Sequence, residues 1–207
     1  MKAKALGECA IPGDSRRHWR DSVASEEREV EVKAAMPIRR ATIGRRNMLR
    51  VGACQTPEIL GDIEASLGCI EHFARQSESA RVDLLLFPEC FLQGYLVEED
   101  HLRQHALDLE SAAFASILQR LTPVRPTLVF GMIELLRGRY FNSAVVIRSG
   151  QVVGVYRKTH LSAGESLFEP GGAFPVFELN GVTYGINICF DTNFADAPHR
   201  SSRKVLG

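Results

Sequence analysis

The spacing of apolar positions changes several times along the chain, and each change marks an element. Leu49–Gln55 is a short, largely apolar run that reads as a first strand. Asp62 then stands as an N-cap ahead of Ile63, Leu67, Ile70 and Phe73, which fall on one helical face. Val82–Phe87 is nearly all apolar and is ended by Pro88, as suits a strand buried on both faces. Glu99–Leu107 and Ser111–Leu121 have helical spacing, the second capped by Ser111, and Thr127–Met132 reads as another buried strand. From Tyr140 the pattern becomes that of hairpins. Tyr140–Arg148 and Gln151–Arg157 flank Ser149-Gly150, and Val176–Leu179 and Val182–Ile188 flank Asn180-Gly181. Together these elements predict a mixed sheet with helices on at least one face.

No apolar period persists before Met48. Residues 1–47 are rich in Arg, Lys and Glu, contain no Phe or Tyr, and have Trp19 as their only aromatic residue. They are expected to form a disordered extension, with Met48 as the natural first residue of the folded part. Residues 48–200 carry the α/β pattern. Residues 201–207 are a polar, basic tail that continues none of it.

Charge and cysteine content narrow the function. The 207 residues balance 25 basic against 25 acidic side chains, which argues against a dedicated nucleic-acid binder. No stretch approaches the roughly 20 apolar residues of a membrane helix, and the N-terminus has no apolar signal-peptide core. Cys9, Cys54, Cys69, Cys90 and Cys189 are odd in number, widely spaced and without a CxxC. That excludes a disulfide framework or zinc knuckle as the simplest reading and favours a reducing, cytoplasmic setting.

Three segments each place one reactive residue at a strand end. Glu89 follows the apolar run in Leu86-Phe-Pro-Glu89, where partial desolvation would raise its proton affinity toward that of a general base. Lys158, in Tyr156-Arg-Lys-Thr-His-Leu161, could steady an oxyanion or a thiolate. Cys189 ends Gly185-Ile-Asn-Ile-Cys189 and is followed by Phe190-Asp191, a position open to nucleophilic use. Each has a plainer alternative when taken singly: a surface glutamate after a proline turn, a solvated strand-end lysine, a small buried thiol. His160 reads as a structural loop histidine and stays outside the mechanism.

Taken in order, VGACQTPEILGDIEASL, LLLFPECFLQGY, VYRKTHL and LFEPGGAFPVFELNGVTYGINICFD closely resemble the nitrilase superfamily of carbon–nitrogen hydrolases over residues 49 to 200. The resemblance implies a four-layer α-β-β-α sandwich, here incomplete at the C-terminus, that assembles as a homo-oligomer. It implies hydrolysis of a small amide, carbamoyl compound or nitrile without a metal or organic cofactor; charge and hydropathy, not the resemblance, are what argue against a nucleic-acid or membrane partner. In that scheme Cys189 is the nucleophile, Glu89 the proton shuttle and Lys158 the oxyanion donor, with the Phe190 backbone N–H as second donor. The family's second glutamate matches Glu165, with Glu169 as the alternative. Past residue 200 the resemblance ends, so the chain is expected to stop before the sandwich is complete. An inactive fragment and a non-catalytic small-molecule binder of the same ancestry are the competing readings.

Overall fold

In the computed structural model, residues 3–6 and 48–194 are described; for residues 3–6 this extends to the backbone alone. Strands β1 (Ala3–Leu6), β2 (Val51–Cys54), β3 (Leu84–Leu86), β4 (Thr127–Leu136), β5 (Arg139–Arg148) and β6 (Gln151–Arg157) form one sheet in that spatial order. The first four are mutually parallel and the last three antiparallel. Strands β7 (Phe177–Leu179) and β8 (Val182–Tyr184) form a second, two-stranded sheet. The helices are α1 (Ile63–Ala80), α2 (Glu99–His105) and α3 (Ala112–Leu121).

The expected helix starts are present. The Asp62 carboxylate accepts the Ala65 N–H at 2.9 Å, and the Ser111 hydroxyl accepts the Phe114 N–H at 3.1 Å. The helix α1 ends at Arg81, whose φ of 51° lies in the left-handed region.

The period of two along the strands separates two cores. Leu85, Leu128, Phe130, Val145 and Ile147 join Phe73 of α1 and Phe114 of α3 on one face. Leu84, Val129, Val146 and Tyr156 face the other way and meet Phe177 and Leu179 of the second sheet. The order of layers is therefore helices, main sheet, second sheet. The mixed α/β class is as expected. Among the described residues no α-helix covers the far side of the second sheet, so three of the four expected layers are seen.

Three boundaries differ from the sequence reading by more than two residues. Ala3–Leu6 pairs in parallel with β2, although residues 1–47 were expected to be without structure; residues 7–47, like the 201–207 tail, lie outside the described residues. Strand β4 runs to Leu136 instead of stopping at Met132. Glu134 looks like a polar end in sequence, but it is 1% exposed and takes the Arg157 guanidinium and the Ser143 hydroxyl as donors. Arg137 and Gly138, both at positive φ, then turn β4 into β5. The last expected strand stops early. Ladder pairing ends at Tyr184, and Gly185–Ile188 runs on without a strand partner among the described residues. No helix among the described residues is long and apolar enough to cross a membrane.

Candidate active site

Glu89 is placed by a close crossing of two backbones. After β3, the Phe87 N–H donates to Val129 O at 2.8 Å, and Gly131 of β4 donates its N–H to Pro88 O at 3.1 Å. The chain then folds back, with Cys90 at φ 47°, so that the Leu92 N–H reaches Gly131 O at 3.0 Å. A Cβ on Gly131 would lie 2.3 Å from Cys90 N and 2.6 Å from Pro88 O, so only glycine permits this approach. Gly131→Ala is expected to cost about 2 kcal/mol through overpacking, read as a lower urea midpoint at unchanged m. It should also displace Glu89 and slow any reaction that uses it by on the order of 100-fold.

Gln93 braces the same loop. Its side chain is fully buried, and it accepts from the Ile133 N–H at 3.0 Å and donates to Ile133 O at 3.1 Å.

Lys158 stands one residue past β6, with both backbone polar groups paired. Its N–H donates to Asn142 O at 2.9 Å, and its O accepts the Gly171 N–H at 2.8 Å. The side chain is 1% exposed. Its Nζ donates to Glu89 Oε1 at 2.7 Å and to the Glu165 carboxylate at 2.9 Å. Burial alone would discharge this ammonium; the hydrogen bonds to Glu165 and Glu89 outweigh it and raise the lysine pKa above its ordinary value.

Glu165 has no exposed surface. Burial opposes its charge, but Lys158, the Ser162 N–H at 2.7 Å and Asn142 hold it ionised, with its pKa below the ordinary glutamate value. Glu165, and not Glu169, is thus the second carboxylate beside Lys158. The Glu169 N–H instead pairs with Tyr140 O.

Asn142 of β5 went unremarked in the sequence. Its Nδ2 donates to Glu89 Oε1 at 2.6 Å and to Glu165 Oε1 at 2.9 Å. The only sequence signal was a polar residue inside an otherwise apolar strand.

Cys189 is exposed, whereas Cys54, Cys69 and Cys90 are buried. Burial pushes the Cys54 thiol up to about 12 and the Cys90 thiol higher still, as suits inert packing residues. Cys189 opens a 3₁₀ turn, Cys189–Asn193, at φ 42°. Asp191 secures that turn. Its buried carboxylate accepts from the Ile188 N–H at 3.0 Å, the Tyr156 hydroxyl at 2.7 Å and the His160 N–H at 2.9 Å. Burial opposes the Asp191 charge, but these donors hold its pKa below the ordinary value. The Cys189 turn is thereby tied to the segment that carries Lys158. His160 rests against Asp191 at 3.1 Å, and its ring stacks on Phe194 at 4.0 Å, a structural placement. Phe190 follows Cys189 in the turn, with its ring edge-on to Phe194.

Glu89 and Cys189 line one cavity of about 320 Å³, with Pro88 and Gly131 near Glu89 and an aliphatic wall that includes Val129 and Ile188. Glu89 also lines a second cavity of about 180 Å³ with Glu58, Gly94 and Tyr95. The tyrosine hydroxyl of Tyr95 is pushed up to about 12 by burial and by Glu165 and Glu89. The described residues hold no cluster of three or more potential metal ligands.

A mixed sheet that sets a Glu89–Lys158–Glu165 cluster beside a cavity lined by Glu89 and an exposed Cys189 defines an α/β protein with hydrolase-type groups near its strand ends. The family model for carbon-nitrogen hydrolases matches residues 50–204, and the chain belongs to that family. It is 32% identical over 148 residues to a glutamine-dependent NAD(+) synthetase from Thermotoga maritima, covering 69% of this chain and 26% of that protein. It is 37% identical over 110 residues to an (R)-stereoselective amidase from Pseudomonas sp, covering 53% of this chain and 40% of that one. The chain thus matches between about a quarter and two fifths of these relatives' lengths. The crystal structure of an amidase from Nesterenkonia sp. shares the fold with a TM-score of 0.66 at 21% identity, over 79% of this chain and 64% of that one.

Proposed function

We propose that this chain hydrolyses a small amide through a thioester on Cys189, without a cofactor. The observation that carries the reading is the pairing of Lys158 with two carboxylates beside a cavity that an exposed cysteine shares with Glu89. Glu89 accepts the thiol proton, and Sγ forms a bond to the carbonyl carbon. The oxyanion is met by a Lys158 N–H and the Phe190 backbone N–H. Glu89 then delivers its proton to the departing nitrogen as the C–N bond breaks. A water, deprotonated by Glu89, attacks the thioester and releases the carboxylic acid and the thiol. Glu165 keeps Lys158 charged and in place throughout.

Membership of the carbon-nitrogen hydrolase family supports the reaction type, and the relative named as an amidase supports an amide over a nitrile. Cys54, Cys90 and Cys189 form no disulfide among the described residues, which suits a reducing compartment such as the cytoplasm.

The test is ammonia release by the full chain from a panel of amides that includes a short aliphatic amide and glutamine. Iodoacetamide labelling, mapped by mass spectrometry, runs in parallel. Cys189 is expected to label well ahead of Cys54, Cys69 and Cys90, and at least one amide to be turned over. No ammonia from any amide, with Cys189 labelling no faster than a small free thiol, would overturn the reading. Saturable amide binding without turnover would favour the binding-module alternative.

A further inference from the structure

We propose that Asn142 is a positioning residue for this reaction: its side-chain amide ties Glu89 and Glu165 together around Lys158 and so keeps Glu89 in place to accept the Cys189 proton. The inference rests on the hydrolase reading above and adds a residue to it.

The problem that Asn142 solves is electrostatic. Two carboxylates share one ammonium, which leaves one negative charge in excess within a site where Lys158 and Glu165 are almost wholly buried. Like charges so close repel and favour proton uptake by one of them. A second cation would neutralise the pair but would also take the place of Lys158 on Glu89. A neutral double donor avoids that. The Asn142 Nδ2 donates one N–H to each carboxylate, at 2.6 Å to Glu89 and 2.9 Å to Glu165. Its backbone O also accepts the Lys158 N–H, so one residue touches all three members of the cluster.

The acceptor end of the amide strengthens the case. Asn142 is 1% exposed, and its Oδ1 is buried without a hydrogen-bond partner. Turning the amide over would satisfy nothing, because Oδ1 would then face two carboxylates. An asparagine kept for packing alone would be expected to satisfy both ends. Here the acceptor end is forfeited while the donor end serves two anions. Other polar groups near the carboxylates include Lys158 from the end of β6, Tyr95 and Cys90 from the loop after β3, the Ser162 N–H, and Glu58 and Cys189 on the cavities that Glu89 lines.

The test titrates the carboxylates directly. The full chain is labelled with [¹³Cδ]glutamate, and the Glu89 and Glu165 signals are assigned with Glu89→Gln and Glu165→Gln. Asn142→Leu keeps the branched side chain and its heavy-atom count and removes the donor; it is expected to raise the Glu165 titration midpoint from its lowered value and to loosen the placement of Glu89. With amide as substrate, kcat should fall more than KM changes. Midpoints that stay put in a folded Asn142→Leu protein would overturn the proposal. In the unaltered chain, the Asn142 side-chain amide protons should shift as the carboxylates titrate. If they stay unmoved, the proposal fails even where the variant does not fold. Coupled midpoints without ammonia release from any amide would leave the clamp standing and remove the hydrolase reading instead.

Discussion

Cys189→Ala is expected to lower amide hydrolysis at least about 10⁴-fold, because it removes the thiol that is proposed to carry the acyl intermediate. Cys90, the nearest cysteine in sequence, is fully buried and its thiol is held protonated by burial first and by Glu89 second. It therefore cannot substitute. The loss should fall on kcat, with amide binding retained, since the aliphatic wall of the cavity is unchanged by the substitution. Stability should hardly change, because Cys189 is exposed and alanine accepts a φ of 42° no better and no worse than cysteine. Cys189→Gly is equally inactive, but its backbone adopts this φ without strain, so it should be more stable than the alanine variant by about 0.5–1 kcal/mol. Ammonia release with thermal unfolding of both variants checks this. Residual turnover above about one part in a hundred by Cys189→Ala would remove the thioester route.

Lys158→Met should be the most damaging change to the folded state, at about 3–5 kcal/mol. The methionine fills a similar volume, but Glu165, fully buried, and Glu89 lose the one cation between them. Its pH dependence follows from the signs of the shifts. In the parent, the Lys158 pKa is raised above 10.5, so its contribution is present at neutral pH and is lost only as pH climbs beyond the ordinary lysine range. The Glu165 pKa is lowered below 4.5, so its contribution is present above that value and is lost as pH falls through and below it. Without Lys158 the burial of Glu165 is no longer outweighed by its strongest donor, and the folded protein takes up a proton more readily than the unfolded chain. The variant should therefore be more stable at about pH 5 than at about pH 8, opposite to the flat or acid-labile parent. Urea unfolding at the two pH values decides it, and adding Glu165→Gln to Lys158→Met should recover part of the loss. A variant within about 1 kcal/mol of the parent at both pH values would show that Lys158 does not hold the cluster together.

The split between readable and unreadable follows the range of the forces involved. Strand and helix positions could be read because a period of two or near 3.6 is a local consequence of which side chains face a core. The caps at Asp62 and Ser111 could be read because a capping carboxylate or hydroxyl reaches only three residues ahead. Where a boundary was misplaced, a distant partner decided it. Glu134 stays inside β4 because Arg157 and Ser143, from other strands, satisfy it. Gly185–Ile188 has the composition of a strand, but a strand also needs a neighbour to bond to.

The sequence by itself determined the family and the mixed α/β class and marked Glu89, Lys158 and Cys189 as candidates at strand ends, while the family resemblance added Glu165 with Glu169 as its alternative. It could not determine their pairing. Glu89 and Lys158 lie 69 positions apart, and only the sheet order and the glycine crossing at Gly131 bring their charges to 2.7 Å. The tertiary structure alone made Asn142 the donor to both carboxylates and Asp191 the anchor of the Cys189 turn. A lone polar residue in an apolar strand has no fixed meaning until burial removes water and leaves its hydrogen bonds to whatever the fold brings near.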